Sequence, residues 1–167
     1  MRAAILPCVL ILTIASARAD EPVDFDTVKQ AAEEGSVEAQ TTLAGRYFRG
    51  EGVAADEKLA LQWLERAATA GFAPAQFYLG VFYLEGTVVA QSEGDAATWF
   101  RKAADQEHAE AQLRLALLYE AGLGVSKSSD EAFRWAKRSA EQGLGWAETV
   151  VGGYYEEGVA TKADMVE

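Results

Sequence analysis

The side chains that could do chemistry are few. The chain has one histidine, His108, and one cysteine, Cys8. A lone imidazole can serve as a general base or hold a metal, but beyond Cys8 there is no second His or Cys to complete a metal site. His108 falls in a turn between predicted helices, in step with Ser36, Phe72 and Leu144, and is expected to be a solvated turn residue. Adjacent carboxylates such as Glu33–Glu34 and Glu156–Glu157 point about 100° apart on a helix, so they cannot share a substrate and read as solvated charge. Gly50-x-Gly52 and Gly122-x-Gly124 follow helices and not strands, which removes a dinucleotide-binding reading. No G-x-S-x-G elbow and no phosphate-binding P-loop occurs. The expectation is no catalytic residue, no cofactor and no metal.

Other functions must therefore come from shape and surface. Of 167 residues, half are apolar and a quarter charged, which is globular composition. Against 15 basic side chains stand 26 acidic ones, a net charge of −11. That argues against nucleic acid, whose phosphates need a clustered positive surface. Met1 to Ala15 combines a short positive start with an apolar run, and Ser16-Ala17-Arg18-Ala19 ends in an A-x-A pattern before Asp20. These are the parts of a secretory signal peptide, cleaved after Ala19, and the run is shorter than the roughly 20 residues of a membrane span. The alternative is a retained N-terminal anchor. Pro7 before Cys8 speaks against a lipid-modified cysteine. Removing residues 1–19 leaves 148 residues at net −13 and no cysteine, so no disulfide, and implies a periplasmic or secreted protein. Such a charge would speed encounter with a basic partner and make association fall with salt, unless it serves solubility alone.

A period of 36 organises the remainder. Trp63, Trp99 and Trp135 share it, as do Ala39, Ala75, Ala111 and Ala147. So do Leu43, Leu79, Leu115 and Val151, the small residues Ala44, Gly80, Ala116 and Gly152, and Tyr47, Tyr83, Tyr119 and Tyr155. A repeat of this length means stacked supersecondary units. Each reads as two helices, the first over about Val37–Arg49 with Ala39, Leu43 and Tyr47 on one face, the second over about Asp56–Ala70 with Ala60, Trp63, Leu64 and Ala67 as its stripe. Ser128-x-x-Glu131 reads as a capping box, Ser92-x-x-Asp95 as a similar one, and Asp56 as a lone cap. Gly50, Gly122, Gly71 and Gly143 end helices. The small column lets the two helices of a hairpin approach closely, and the tryptophans are expected to fill the seam between units as core.

These columns resemble the SEL-one-like repeat family, a branch of the tetratricopeptide-like superfamily. Its signature is similar to A-x-x-x-L-G-x-x-Y-x-x-G-x-G-V-x-x-D followed by A-x-x-W-x-x-x-A-A-x-x-G. Here it reads Ala39, Leu43, Ala44, Tyr47, Gly50, Gly52, Val53, Asp56, Ala60, Trp63, Ala67, Ala68 and Gly71, and it recurs from Ala75 to Ala104 and from Ala111 to Gly143. The chain departs from the pattern at Val88, in place of the second loop glycine, and at Glu107, in place of the closing glycine. The resemblance implies an all-α, right-handed α/α solenoid without strands. Its units would be a capping half-repeat over 20–35, repeats over 36–71, 72–107 and 108–143, and an incomplete fourth over 144–167.

By that resemblance the first helices line a concave groove. Opposite their core face lie Thr41, Gly45, Phe48 and Arg49, then Phe77, Val81, Leu84 and Glu85, then Leu113, Leu117, Glu120 and Ala121, and last Thr149, Gly153, Glu156 and Glu157. Phe48, Arg49, Phe77, Val81, Leu84, Glu85, Leu113, Leu117 and Glu120 are the candidate contacts for a peptide or helix of another protein. Since solenoid helices touch both neighbours, the alternative is that some of these positions are core. The resemblance implies a non-enzymatic, exported adaptor in bacterial envelope signalling, secretion or assembly. Two alternatives are a penicillin-interacting hydrolase, an activity associated with cysteine-rich members, and a periplasmic immunity or virulence factor binding a toxin or host protein. At the C-terminus Asp164-x-x-Glu167 falls where the next capping box belongs. Without a following helix, Trp146, Val150, Val151, Tyr154 and Tyr155 would stay uncovered, giving either a weakly held end or a self-association surface.

Overall fold

The computed structural model describes residues 24–156 and Gly158. The expected leader over 1–19, Cys8 and the Asp164–Glu167 turn lie outside the described residues. Within them are eight helices and no strand: α1 (Phe25–Glu33), α2 (Val37–Arg49), α3 (Glu57–Thr69), α4 (Ala73–Glu85), α5 (Glu93–Ala104), α6 (Ala109–Ala121), α7 (Ser129–Glu141) and α8 (Gly145–Glu156). Each packs chiefly on the next in sequence, the pattern of a stack of repeats and not of a closed globule.

Local chemistry sets the boundaries. Asp24, Ser36, Asp56, Ser92 and Ser128 each accept a hydrogen bond from the backbone amide three residues on, satisfying a donor that has no partner within the helix. The capping-box reading of Ser128-x-x-Glu131 needs correction in its second half. The Ser128 amide donates to the Tyr119 carbonyl, and the Glu131 carboxylate turns to Arg134. This is a feature of every hairpin, since the Asp56 and Ser92 amides donate in the same way to Tyr47 and Tyr83. The first helices end on Gly50, Gly86 and Gly122, all in the left-handed region at φ of 71, 67 and 72°, where a Cβ would be strained.

The departure at Glu107 leaves the turn intact. Glu107 takes φ 61°, beside 95° for Gly71 and 82° for Gly143. Its carboxylate accepts from Gln112 at 2.9 Å and meets Arg138. Side-chain partners thus hold a non-glycine residue in a conformation that disfavours it.

The core lies along the seam between successive helices. Leu43, Leu79 and Leu115 are fully buried, as are Ala67, Ala68, Ala103 and Ala104. Among them runs a polar column with the same period. Gln40, Gln76 and Gln112 are buried, and each Nε2 donates to a carbonyl eight residues back, on Ala32, Ala68 and Ala104. Each therefore ties a first helix to the end of the helix before it. The tryptophans divide. Trp135 is 93% buried (7% exposed), whereas Trp63 and Trp99 are half-buried at the edge of the core. The exposed sides carry cations three residues on: Arg66 over Trp63, Lys102 over Trp99 and Arg138 over Trp135.

The C-terminal helix is better covered than its sequence implies. Tyr154 is buried, packs edge-on to Phe133 and donates to Glu120 at 3.0 Å. Val150 and Val151 pack on the same core, and Tyr155 meets Phe133 edge-on while remaining 47% exposed. Trp146 stays 78% exposed.

Candidate protein-binding groove

The first helices α2, α4 and α6 place three apolar recesses in series. The first, about 440 Å³, lies between α2 and α4 and is walled by Phe48, Tyr78 and Phe82 with Leu64 behind them. Phe48 and Phe82 pack at 5.3 Å between ring centroids. Arg49 forms its rim and is clamped by Glu51, with Nε and Nη2 at 2.5 and 3.0 Å from the two carboxylate oxygens. The clamp raises the Arg49 pKa and lowers that of Glu51, in both cases chiefly through this hydrogen bonding. Gly45 makes room for it, since a Cβ there would sit 3.2 Å from the guanidinium nitrogens. The second recess, about 430 Å³, is formed by Leu84, Leu117, Leu118 and Leu123, with Arg114 and Glu120 at its edge. The third, about 380 Å³, is formed by Phe77, Leu113, Leu117, Leu144 and Trp146, with Arg114 and Glu110 at its edge.

His108 lines none of the three recesses but backs Phe77, which lines the third, and at 17% side-chain exposure it is not the solvated turn residue its position suggests. Its ring stacks on Phe77 at 5.0 Å and 18°. As the N-cap of α6 its Nδ1 accepts from the Ala111 amide at 3.4 Å. Nδ1 also lies 3.3 Å from Glu110. Burial lowers the imidazole pKa, opposed by the Glu110 charge, so the neutral ring that can accept from Ala111 is the favoured form.

Three consecutive segments, 37–72, 73–108 and 109–144, match the Sel1 repeat model. The chain belongs to the Sel1 repeat family. Sel1 repeat proteins are generally protein-interaction scaffolds and typically non-enzymatic. Among solved structures the chain is similar to a Sel1 repeat protein from Oxalobacter formigenes, at 34% identity and a TM-score of 0.74 over 77% of this chain and 96% of that one. It is also similar to a protective antigen of uropathogenic Escherichia coli strains displaying an SLR fold, at 36% identity and a TM-score of 0.80 over 82% of this chain. It spans only 29% of that antigen's length. The Helicobacter pylori cysteine-rich protein B shares the fold, at 19% identity and a TM-score of 0.64 over 75% of this chain and 93% of that one. No curated protein matches the chain.

Within this Sel1 stack the candidate contacts fall into two groups. Phe48, Arg49, Phe77, Leu84, Leu113, Leu117 and Glu120 line the recesses. Val81 and Glu85 line none of the three, and Val81 packs into the core instead. Phe77 and Leu84 do both, since they pack against the same core while forming recess walls. Tyr78, Phe82, Arg114, Leu118 and Trp146 are groove residues that the helical wheel did not select. Tyr78 and Arg114 sit one residue further round, in a column with Thr42 where residue type changes from unit to unit. That change, within repeats whose other columns hold their type, is the signal that could have found them. Among the described residues no group of three or more His, Cys, Asp or Glu side chains gathers as a metal site would require, and no helix is long and apolar enough to cross a membrane.

Proposed function

We propose that this Sel1 repeat chain is an exported, non-enzymatic adaptor that holds a peptide or helix of another protein along the first-helix groove. One observation carries the reading: three apolar recesses in series on one face, with Phe48 at 38% and Leu117 at 43% exposure between them. Large apolar side chains left open in a row are the usual mark of a surface that another protein covers. Export rests on the signal-peptide pattern over Met1–Ala19 and suits work in a bacterial envelope. The long-range field of the exported chain, net −13 once residues 1–19 are removed, favours a partner that is basic overall.

Site-specific photocrosslinking in the envelope tests this. A photoreactive residue at Leu117 or Phe48 should give a discrete adduct with another protein, and one at Lys58, on the second helix of the first unit, should not. Equal labelling from both places, or turnover of a chromogenic β-lactam by the purified chain, would reject the adaptor reading.

A further inference from the structure

Arg114 gives the groove a chemical preference, and this inference rests on the groove being the binding face. Between residues 24 and 158 every other arginine is engaged. Arg49 is clamped by Glu51, Arg134 meets Glu131, and Arg138 meets Glu107. Arg66 covers Trp63, Arg101 covers Tyr119, and Arg46 acts on Glu51. Arg114 alone makes no hydrogen bond, ion pair or ring contact among the described residues. Its best local partner is Glu110, one turn earlier, an arrangement that normally favours an ion pair. Glu110 lines the third recess beside it but sits 3.3 Å from His108 Nδ1 and makes no ion pair with Arg114.

The position of this unpaired cation matters more than its existence. Arg114 borders both the second and the third recess, and the two meet at Arg114 and Leu117. Arg114 is exposed and lines both recesses, where an arginine can lay its methylene stem along apolar wall and keep its guanidinium in water. The carboxylate at the edge of the second recess, Glu120, is held by Lys127 at 3.5 Å and accepts from Tyr154, which removes part of its repulsion for an incoming anion. We propose that the groove takes a protein segment bearing two apolar side chains with a carboxylate between them, the apolar groups seated in the second and third recesses and the carboxylate paired to Arg114. A guanidinium beside apolar walls is a directional, partly dehydrated donor for a carboxylate. The pairing is local, within a Debye length of about 8 Å, and is compatible with a partner that is basic overall.

Random peptides displayed on phage, selected on the full chain, then synthesised and titrated, test it with three proteins: the unsubstituted chain, Arg114→Gln and Leu117→Ser. Both positions are exposed, and circular dichroism checks that the helices persist. The expected result is a selected pattern of apolar, acidic, apolar. Replacing the acidic residue by its amide should raise Kd about tenfold on the unsubstituted chain and hardly at all on Arg114→Gln. Leu117→Ser should weaken every selected peptide. Peptides that need Leu117 but carry no acidic residue, or ignore Arg114→Gln, would overturn this inference and leave the groove reading standing. Peptides that ignore Leu117→Ser, or the absence of any selected peptide, would overturn both.

Discussion

The first and second hairpins share their helices but differ in one loop, where Val88 lacks the positive φ of Gly52, and in the pairs that fill the space between the helices. In the first, Ala44 on α2 packs in the same cluster as Leu64 on α3. In the second the small side is reduced to Gly80 and the large side enlarged to Phe100, whose ring carbons would lie 2.8 Å from a Cβ on Gly80. At the closing turn the first unit has Gly71 and Phe72, the second Glu107 and His108. Under that turn, Gln76 of the second unit accepts a hydrogen bond from Gln106 at 2.8 Å. Gln40 of the first has no such donor, and its Oε1 is buried without a partner. A repeat therefore preserves the sum of a contact rather than each residue in it, and a substitution must be judged against its counterpart across the seam.

The largest effect tests the packing pair. Glycine to alanine inside a helix normally gains about 0.5–1 kcal/mol. At Gly80 the new methyl meets a fully buried ring, and overpacking costs about 1–3 kcal/mol. Gly80→Ala is therefore expected to lower the stability measured by chemical denaturation. Adding Phe100→Leu recreates the pair of the first hairpin and should recover most of the loss. A double-mutant cycle without coupling would show that the two hairpins do not compensate in this way.

A smaller effect tests the closing turns. Phe72 gives α4 no side-chain cap, and Pro74 in the first turn removes one amide that would need an acceptor. In the second unit the cap on α6 is the imidazole of His108, which accepts only while Nδ1 is unprotonated. Burial puts its folded pKa below the ordinary histidine value, so the unfolded chain binds the proton more readily. Its contribution is complete above the unfolded pKa and is lost as pH falls through that value toward the folded one. Between about pH 8 and pH 5.5 the chain should lose more stability than His108→Asn does, by no more than the roughly 1 kcal/mol of one cap. Parallel losses in the two proteins would remove His108 as the pH-sensitive cap.

Much of this architecture is legible in the sequence, and the gaps have physical causes. The Leu43 and Ala39 columns announce the helices and their inner faces because burial repeats with the chain's own period. Glycine at 50, 86 and 122 announces the turns. The Gln40, Gln76 and Gln112 column repeats just as strictly, but a glutamine on a helix reads as surface until the carbonyl it bonds is known. Glu107 reads as a broken turn because its support, Gln112 and Arg138, comes from the next unit. His108 reads as solvated because the Phe77 ring that covers it lies about thirty residues earlier. The groove was half legible: Phe48 and Leu117 are apolar on a face opposite the core. Tyr78 and Arg114 line the same recesses from one residue further round, because each first helix packs on neighbours on two sides, which a wheel drawn for one helix does not contain.

The smallest effect tests the glutamine ladder and would make the first unit resemble the second. Position 70 holds Ala where 106 and 142 hold Gln. Gln106 and Gln142 donate at 2.8 and 2.7 Å to the Oε1 of Gln76 and Gln112, and Ala70 is exposed at the same place in its turn. Ala70→Gln supplies the missing donor to Gln40 Oε1. A hydrogen bond to a buried, unsatisfied acceptor contributes about 0.5–1.5 kcal/mol, and fixing the new side chain offsets part of it. The net gain should be about 0.5 kcal/mol, visible as a shift of the denaturation midpoint with unchanged slope. The control is the same substitution in a Gln40→Ala background, where the acceptor is gone and no gain should appear. An equal gain in both backgrounds would trace the effect to helix propensity and show that the ladder adds nothing to the hairpins that have it.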